Sequence, residues 1–197
     1  MTLPAQVAPG HAILAAWVVW LLSWLAAAVW TRQTVARPSY AREFPNRFVT
    51  LVGGLVLSFT LSSPRTLFPH WTPSEAFGWT MFAGVIAGIA FAWWARLHLG
   101  VLWSGTITRK EGHRIVDSGP YAIVRHPIYT GILFALFATA IASGRVEPML
   151  GAAIISVGLW MKAKLEEGFL AQELGAGYAA YCARVPMLIP FAKGGRA

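Results

Sequence analysis

Five apolar runs separated by polar loops constrain this chain more than any other feature. They are His11–Trp30, Phe48–Ser62, Ala76–Leu97, Ile128–Ser143 and Leu150–Met161. A helix needs about 20 apolar residues to cross the hydrocarbon core of a bilayer. The first and third runs meet that length, and the others approach it. In lipid each backbone N–H and C=O must find its partner within the segment, which favours helices for runs of this kind. Only 12% of the residues are charged, against about 25% in soluble domains. The expected fold is an all-α integral membrane protein with about five transmembrane helices.

The basic residues fix an orientation. Residues 31–47 hold four Arg, 96–127 hold five Lys or Arg, and 162–197 hold five more, whereas the opposite loops contribute only Arg65 and Arg145. Lys and Arg accumulate in cytoplasmic loops, so the N-terminus is expected outside and the C-terminus in the cytoplasm. The net charge of +8 then reflects topology. No basic stripe with interleaved aromatics is present, which argues against nucleic-acid binding.

Smaller signals refine the spans. No basic residue precedes Arg32, so the first run lacks the charged start of a signal peptide and is expected to be a retained helix. Trp17, Trp20 and Trp24 share a helical face. Gly53-Gly54, and Gly84 with Gly88, permit close helix neighbours. Pro38 and Pro45 are expected to break the loop before the second span. The short Gly144–Met149 turn makes the last two spans antiparallel neighbours. The fifth helix is expected to run to about Leu174, with Gly175 as its C-cap and Tyr178 and Tyr181 in a tail. Cys182 is the single cysteine and the five His are scattered, so neither a disulfide nor a metal site is expected.

Chemistry gathers at the cytoplasmic ends of the last two spans. His126-Pro127 opens the fourth helix, where a proline costs no hydrogen bond. Arg125, His126 and Tyr129 therefore sit at a helix N-terminus, a favourable place for a carboxylate. On the fifth helix Lys162 and Glu166 are four residues apart and share a face, and Glu167 lies about 100° round. The acids suit an amine or a cation, and the bases suit the anionic group of a lipid-borne molecule. Ionisable groups at this depth mark function by default.

Residues 99–190 resemble the isoprenylcysteine carboxyl methyltransferase family, and more broadly the membrane methyltransferases that include phospholipid N-methyltransferases. The matching residues begin with Leu99-Gly100, Trp103-Ser104, Glu111-Gly112-His113 and Ser118-Gly119-Pro120-Tyr121. They continue with Val124-Arg125-His126-Pro127, Tyr129 and Gly131, then Glu166-Glu167, Leu170, Leu174-Gly175, Tyr178 and Tyr181. Val185-Pro186 and Leu188-Ile189-Pro190 complete the set.

The resemblance implies S-adenosylmethionine as methyl donor, in a cytoplasm-facing pocket built by the C-terminal half. Carried across by position, the cofactor-binding residues are His113, Arg114, Ile115, Val116, Tyr121, His126, Pro127, Ile128, Tyr129 and Glu166. Lys162 stands where the family has a substrate-facing arginine, so bidentate recognition of a carboxylate is lost, and Met187 replaces a basic residue. Arg125 is a second candidate for the cofactor carboxylate. A carboxylate acceptor needs no base, whereas an amine must lose a proton, with Glu167 or His126 as the candidate base.

The expected function is methyl transfer to a lipid or amphiphilic small molecule, led by an isoprenylcysteine-type carboxylate. The alternatives are a phospholipid amine and a nicotinamide-dependent membrane sterol or enone reductase. Residues 1–95 are expected to supply three anchoring spans on the substrate side, and 96–197 the catalytic region.

Overall fold

The computed structural model describes residues 8–30, 34–36, 40–63, 67–103, 109–110 and 115–194, with the backbone alone at 34–36, 40 and 109–110. Five helices dominate: α1 Pro9–Ala27, α2 Tyr40–Ser62, α3 Glu75–Leu99, α4 Pro127–Ala142 and α5 Glu147–Arg184. Short 3-10 turns occupy Gly100–Leu102 and Gly119–Ala122, and Thr34–Ala36 (β1) pairs antiparallel with Arg109–Lys110 (β2).

The helices begin and end for local reasons. Ser74 caps α3 by accepting the Phe77 N–H, and Glu75 opens it while Arg96 and His98 close it. That charge order opposes the helix dipole. Proline stands in the first turns of α1, α4 and α5, where its missing N–H has no intrahelical partner.

Two boundaries depart from expectation. Helix α2 starts at Tyr40 and passes through Pro45, which was expected to break the chain. The proline lies early in the helix, so the one bond it removes is near an end that frays in any case. Glu43 and Arg47 bridge the same turn, with Arg47 Nε donating to Glu43 Oε2 at 3.1 Å. Helix α5 breaks where its end is expected, but the chain does not stop being helical there. Gly175 adopts φ 58° and ψ −137° and breaks the helix, which then resumes to Arg184. Tyr178 and Tyr181 are therefore helical. Glycine takes this positive φ without the Cβ clash that other residues meet.

Packing is pairwise. Helix α2 lies along α5, and α3 along α4, in the two most extensive contacts, while α1 lies on α3. Helices α4 and α5 touch, as the short turn requires, but each has a larger partner. A Cβ on Gly88 would fall 2.5 Å from the Gly131 carbonyl oxygen, and one on Gly131 equally close to that of Gly88. Only glycine at both positions lets α3 and α4 meet backbone to backbone. Gly151 of α5 meets the Leu57 backbone of α2 in the same way. One apolar cluster, around Val85 and Ala135, joins α1 to the α3–α4 pair, and another, around Leu57, Ala140 and Ile155, joins the two pairs.

The outward faces carry apolar side chains. Phe44, Phe48, Leu51, Leu55 and Phe59 form one exposed row on α2, and Leu14, Val18, Leu21, Leu22 and Leu25 are exposed on α1. Four helices are long and apolar enough to span a bilayer, and α4 is a shorter apolar helix. The protein is a multi-pass, all-helical membrane protein, and the bilayer is the solvent for those rows. Even the part of α5 before the Gly175 break, Glu147 to Leu174, exceeds the thickness of a bilayer core at about 1.5 Å per residue. Its charged second half extends beyond it.

Candidate active site

A cavity of about 410 Å³ opens where the ends of α1 and α3 and the start of α4 meet the middle of α5, within the usual range of about 300–1,000 Å³ for small-molecule sites. Its walls are mainly aromatic and aliphatic. Its charged groups come from two places, the Arg125-His126 pair before α4 and the Lys162–Glu166 turn of α5.

The start of α4 is held by the C-terminal strap. The Arg125 N–H donates to the Pro186 carbonyl at 2.8 Å and the His126 N–H to that of Met187 at 3.1 Å. Thr130 Oγ1 donates to the Leu188 carbonyl at 2.7 Å. Pro186 and Pro190 flank this strap, so the Val185–Pro190 block acts as an extended partner for the chain entering α4. Arg125 ties the same elements from inside. Its Nη1 donates to the carbonyls of Cys182 and Val185, and its Nε to Glu167 Oε1 at 2.6 Å.

The imidazole of His126 lies between two carboxylates. Its Nε2 is 3.2 Å from Glu167 Oε1, and its Nδ1 is 3.5 Å from Glu166 Oε2. Burial alone would lower the His126 pKa, but the hydrogen bonds and charges of Glu166 and Glu167 outweigh it and raise it above the ordinary value. For Arg125 burial also pulls downward, and the Glu167 hydrogen bond and charge prevail and raise it. Burial raises Tyr121, out of reach of physiological pH.

Glu166 presents its carboxylate to the cavity. The Tyr129 hydroxyl donates to its Oε1 at 2.7 Å. The Tyr129 ring stacks on His126, at 5.4 Å between centroids and 2° between planes. Lys162 Nζ lies 5.3 Å from the centre of that ring. An anion and a cation one helical turn apart thus share one aromatic wall. Opposite polar groups in an otherwise apolar cavity can orient a ligand carrying both charges.

Of the site residues expected from sequence, Ile115, Val116, Tyr121, Arg125, His126, Pro127, Ile128, Tyr129, Lys162 and Glu166 all line this cavity. Glu167 does not. It is fully buried behind His126 and Arg125, with Lys164 Nζ 3.8 Å from its Oε2. His113 and Arg114 lie outside the described residues. The sequence reading missed Trp24 and Thr50, which reach the cavity from α1 and α2. Both belong to elements that look like plain membrane spans, and only packing brings them here. The Trp17-Trp20-Trp24 stripe was visible, but its continuation through edge contacts from Trp24 to Trp93 and Trp103 was not.

Sequence comparison reaches the residues that build most of this cavity. The model of the isoprenylcysteine carboxyl methyltransferase (ICMT) family matches residues 79–172. Protein-S-isoprenylcysteine O-methyltransferase B of Arabidopsis thaliana is 35% identical over 89 residues, covering 43% of this chain and 44% of that protein. Methanethiol S-methyltransferase 2 of Bradyrhizobium diazoefficiens is 41% identical over 186 residues, covering 79% and 66%. Protein-S-isoprenylcysteine O-methyltransferase of Schizosaccharomyces pombe is 33% identical over 86 residues, covering 42% and 35%. The matches cover between 35% and 66% of the length of these three relatives. These matches bear out the resemblance seen in the sequence: residues 79–172, which supply most of the cavity wall, are similar to the isoprenylcysteine carboxyl methyltransferase family.

Proposed function

We propose that this protein is a membrane methyltransferase that uses S-adenosylmethionine and methylates an amphiphilic acceptor, led by an isoprenylcysteine-type carboxylate. The observation that carries the reading is the Glu166 carboxylate and the Lys162 ammonium on one aromatic wall of the cavity. The donor would supply a methyl group on a sulfonium, a leaving group that needs little acid catalysis.

The residues present fit such a donor. Glu166, fixed by Tyr129 and His126, accepts from an amino group. Tyrosine rings favour a nearby cation. Ile115, Val116, Tyr121, Ile128 and Leu174 offer apolar surface for a heterocycle. Lys162 offers the acceptor's anion a point charge in place of a guanidinium fork. The principal work of these groups is alignment, because an in-line displacement depends on geometry more than on proton transfer. His113 and Arg114 complete the donor site in this proposal, and Arg125 and Glu167 serve by holding His126.

A thiol acceptor is the second reading. It is favoured by the relative whose name gives methanethiol as its substrate, because that match reaches well beyond the 79–172 region. A thiol must lose its proton, and Lys162 would favour the thiolate by charge.

In this proposal the N-terminus is outside, the cavity faces the cytoplasm, and residues 1–95 form the substrate side. The test is calorimetric binding of S-adenosylmethionine to detergent-purified protein, followed by transfer of labelled methyl to farnesylcysteine, methanethiol or phosphatidylethanolamine. Binding that disappears in Glu166→Ala and His126→Ala is expected. Folded wild-type protein that binds no S-adenosylmethionine would overturn the reading.

A further inference from the structure

Helix α1 is thinly attached. Of its 19 residues only Ile13 is buried, and its lipid side is exposed at Leu22 and Leu25. Yet Trp24 of this helix forms part of the cavity wall. Something must hold the cavity end of α1 in place. The last carbonyls of a helix have no intrahelical partners and carry partial negative charge, so a buried cation there would serve.

Arg96, in the last turn of α3, meets that need. It is 1% exposed. Its Nη2 donates to the carbonyl of Ala27, the last residue of α1, at 2.8 Å, and to that of Trp30 at 2.9 Å. Its Nη1 donates to the Gly100 carbonyl at 2.8 Å, at the head of the 3-10 turn that leads into Trp103. The guanidinium carbon is 4.3 Å from the centre of the Trp103 ring and 5.2 Å from that of Trp30. Trp103 in turn meets Trp24 edge to face, with centroids 5.6 Å apart. One planar group therefore fixes the end of α1, the turn after α3 and the two indoles that meet between them.

Arg96 itself does not line the cavity, whereas Trp24, Leu99, Leu102 and Trp103 do. This wall contributes no charged side chain. The charged groups stand on the α4 and α5 side. An apolar wall one helix thick, with lipid beyond it, suits the apolar part of an acceptor. The geometry points to Arg96 as a positioning residue for acceptor binding: it latches α1 to α3 so that Trp24 and Trp103 close the apolar side of the cavity. The acceptor part of this inference rests on the methyltransferase reading above. The latch itself does not.

The experiment compares Arg96→Gln and Arg96→Lys with wild type in detergent. Hydrogen exchange of the last turn of α1, with no ligand present, is expected to quicken in Arg96→Gln and less so in Arg96→Lys, whose ammonium cannot span the same three carbonyls. The acceptor KM for farnesylcysteine is expected to rise about tenfold in Arg96→Gln, with the S-adenosylmethionine Kd within about twofold of wild type. Trp24→Ala should raise the same KM, and the double variant should do little more than the worse single one, since both act through one wall.

Unchanged exchange at the end of α1 would overturn the latch. Cofactor affinity falling in step with acceptor affinity would overturn the positioning role. If Arg96→Gln does not fold, Trp103→Leu, which keeps the carbonyl bonds but removes the indole, must raise acceptor KM at constant cofactor Kd, or the inference fails. Folded wild-type protein without S-adenosylmethionine binding would fault the methyl-donor reading, and the exchange comparison would still decide the latch.

Discussion

The side chains at the cavity act as a linked set, with Glu166 as the group that meets the ligand. The Tyr129 hydroxyl holds one of its oxygens and the His126 ring faces the other. Tyr129→Phe removes one hydrogen bond to a charged acceptor, worth about 1.5–3 kcal/mol, while keeping the ring beneath Lys162. Cofactor affinity is expected to fall by about tenfold or more, measured by calorimetry. His126 sets a pH dependence. Its pKa is raised on folding above the ordinary value of 6.5 because the hydrogen bonds and charges of Glu166 and Glu167 outweigh burial. A raised folded pKa gives stability that is fully present below the unfolded pKa and is lost as pH rises through the folded one. The thermal midpoint in detergent is therefore expected to decline as pH rises above about 6.5, and His126→Gln should flatten that decline. A midpoint insensitive to pH in wild type would refute the assignment.

At the scale of elements, the strap after α5 matters most for the site. Residues 185–190 supply carbonyls to the Arg125 and His126 N–H groups, to the Arg125 guanidinium and to the Thr130 hydroxyl. These bonds join the last segment of the chain to the start of α4, and they explain why a proline-bounded block follows a long helix. Truncation after Arg184 leaves buried backbone donors unpaired, at about 1–3 kcal/mol each. Helical content by circular dichroism should persist, because the α2–α5 and α3–α4 pairs are untouched. S-adenosylmethionine binding should be lost. Retained binding would mean that α5 alone orders His126. The break at Gly175 belongs to the same design, since it redirects the helix so that the Tyr181 hydroxyl reaches the Tyr121 carbonyl at 2.7 Å.

Across the whole molecule, the charge bias and the cavity agree. Arg125, Lys162, Glu166 and the strap all lie at one end of the helical bundle, the end at which the basic loops gather. At the other end Glu147 accepts the N–H groups of Leu67 and Phe68, and Arg145 donates to the carbonyls of Thr60 and Ser63, so these two charges are absorbed by loop structure. The expected orientation gives a direct prediction. A cysteine introduced at Asp117 should react with an impermeant maleimide only after the membrane is opened, whereas one at His70 should react in intact cells. Native Cys182 is buried and leaves a low background. The reverse pattern would invert the topology and place the cavity outside.

The sequence by itself determined the membrane class, the number of helices and the polar cluster at the ends of the last two. Apolar run length and local charge are properties of neighbouring residues, and the His126-Pro127 and Lys162–Glu166 signals are local in the same sense. Tertiary structure alone decided the rest. Glu166 and Glu167 are adjacent in sequence, yet one faces the cavity and the other is sealed behind His126, because about 100° of helical rotation meets a cavity on one side and Arg125 on the other. Arg96 reads in sequence as one more topology charge near the end of a span. Its partners, Ala27 and Trp30, are 69 and 66 residues away, and no local pattern encodes a pairing at that distance. Helix α2 likewise overrode Pro45, and α1 and α2 entered the cavity through Trp24 and Thr50, because the packing of one helix on another is set by shape complementarity over the whole contact rather than by any single segment.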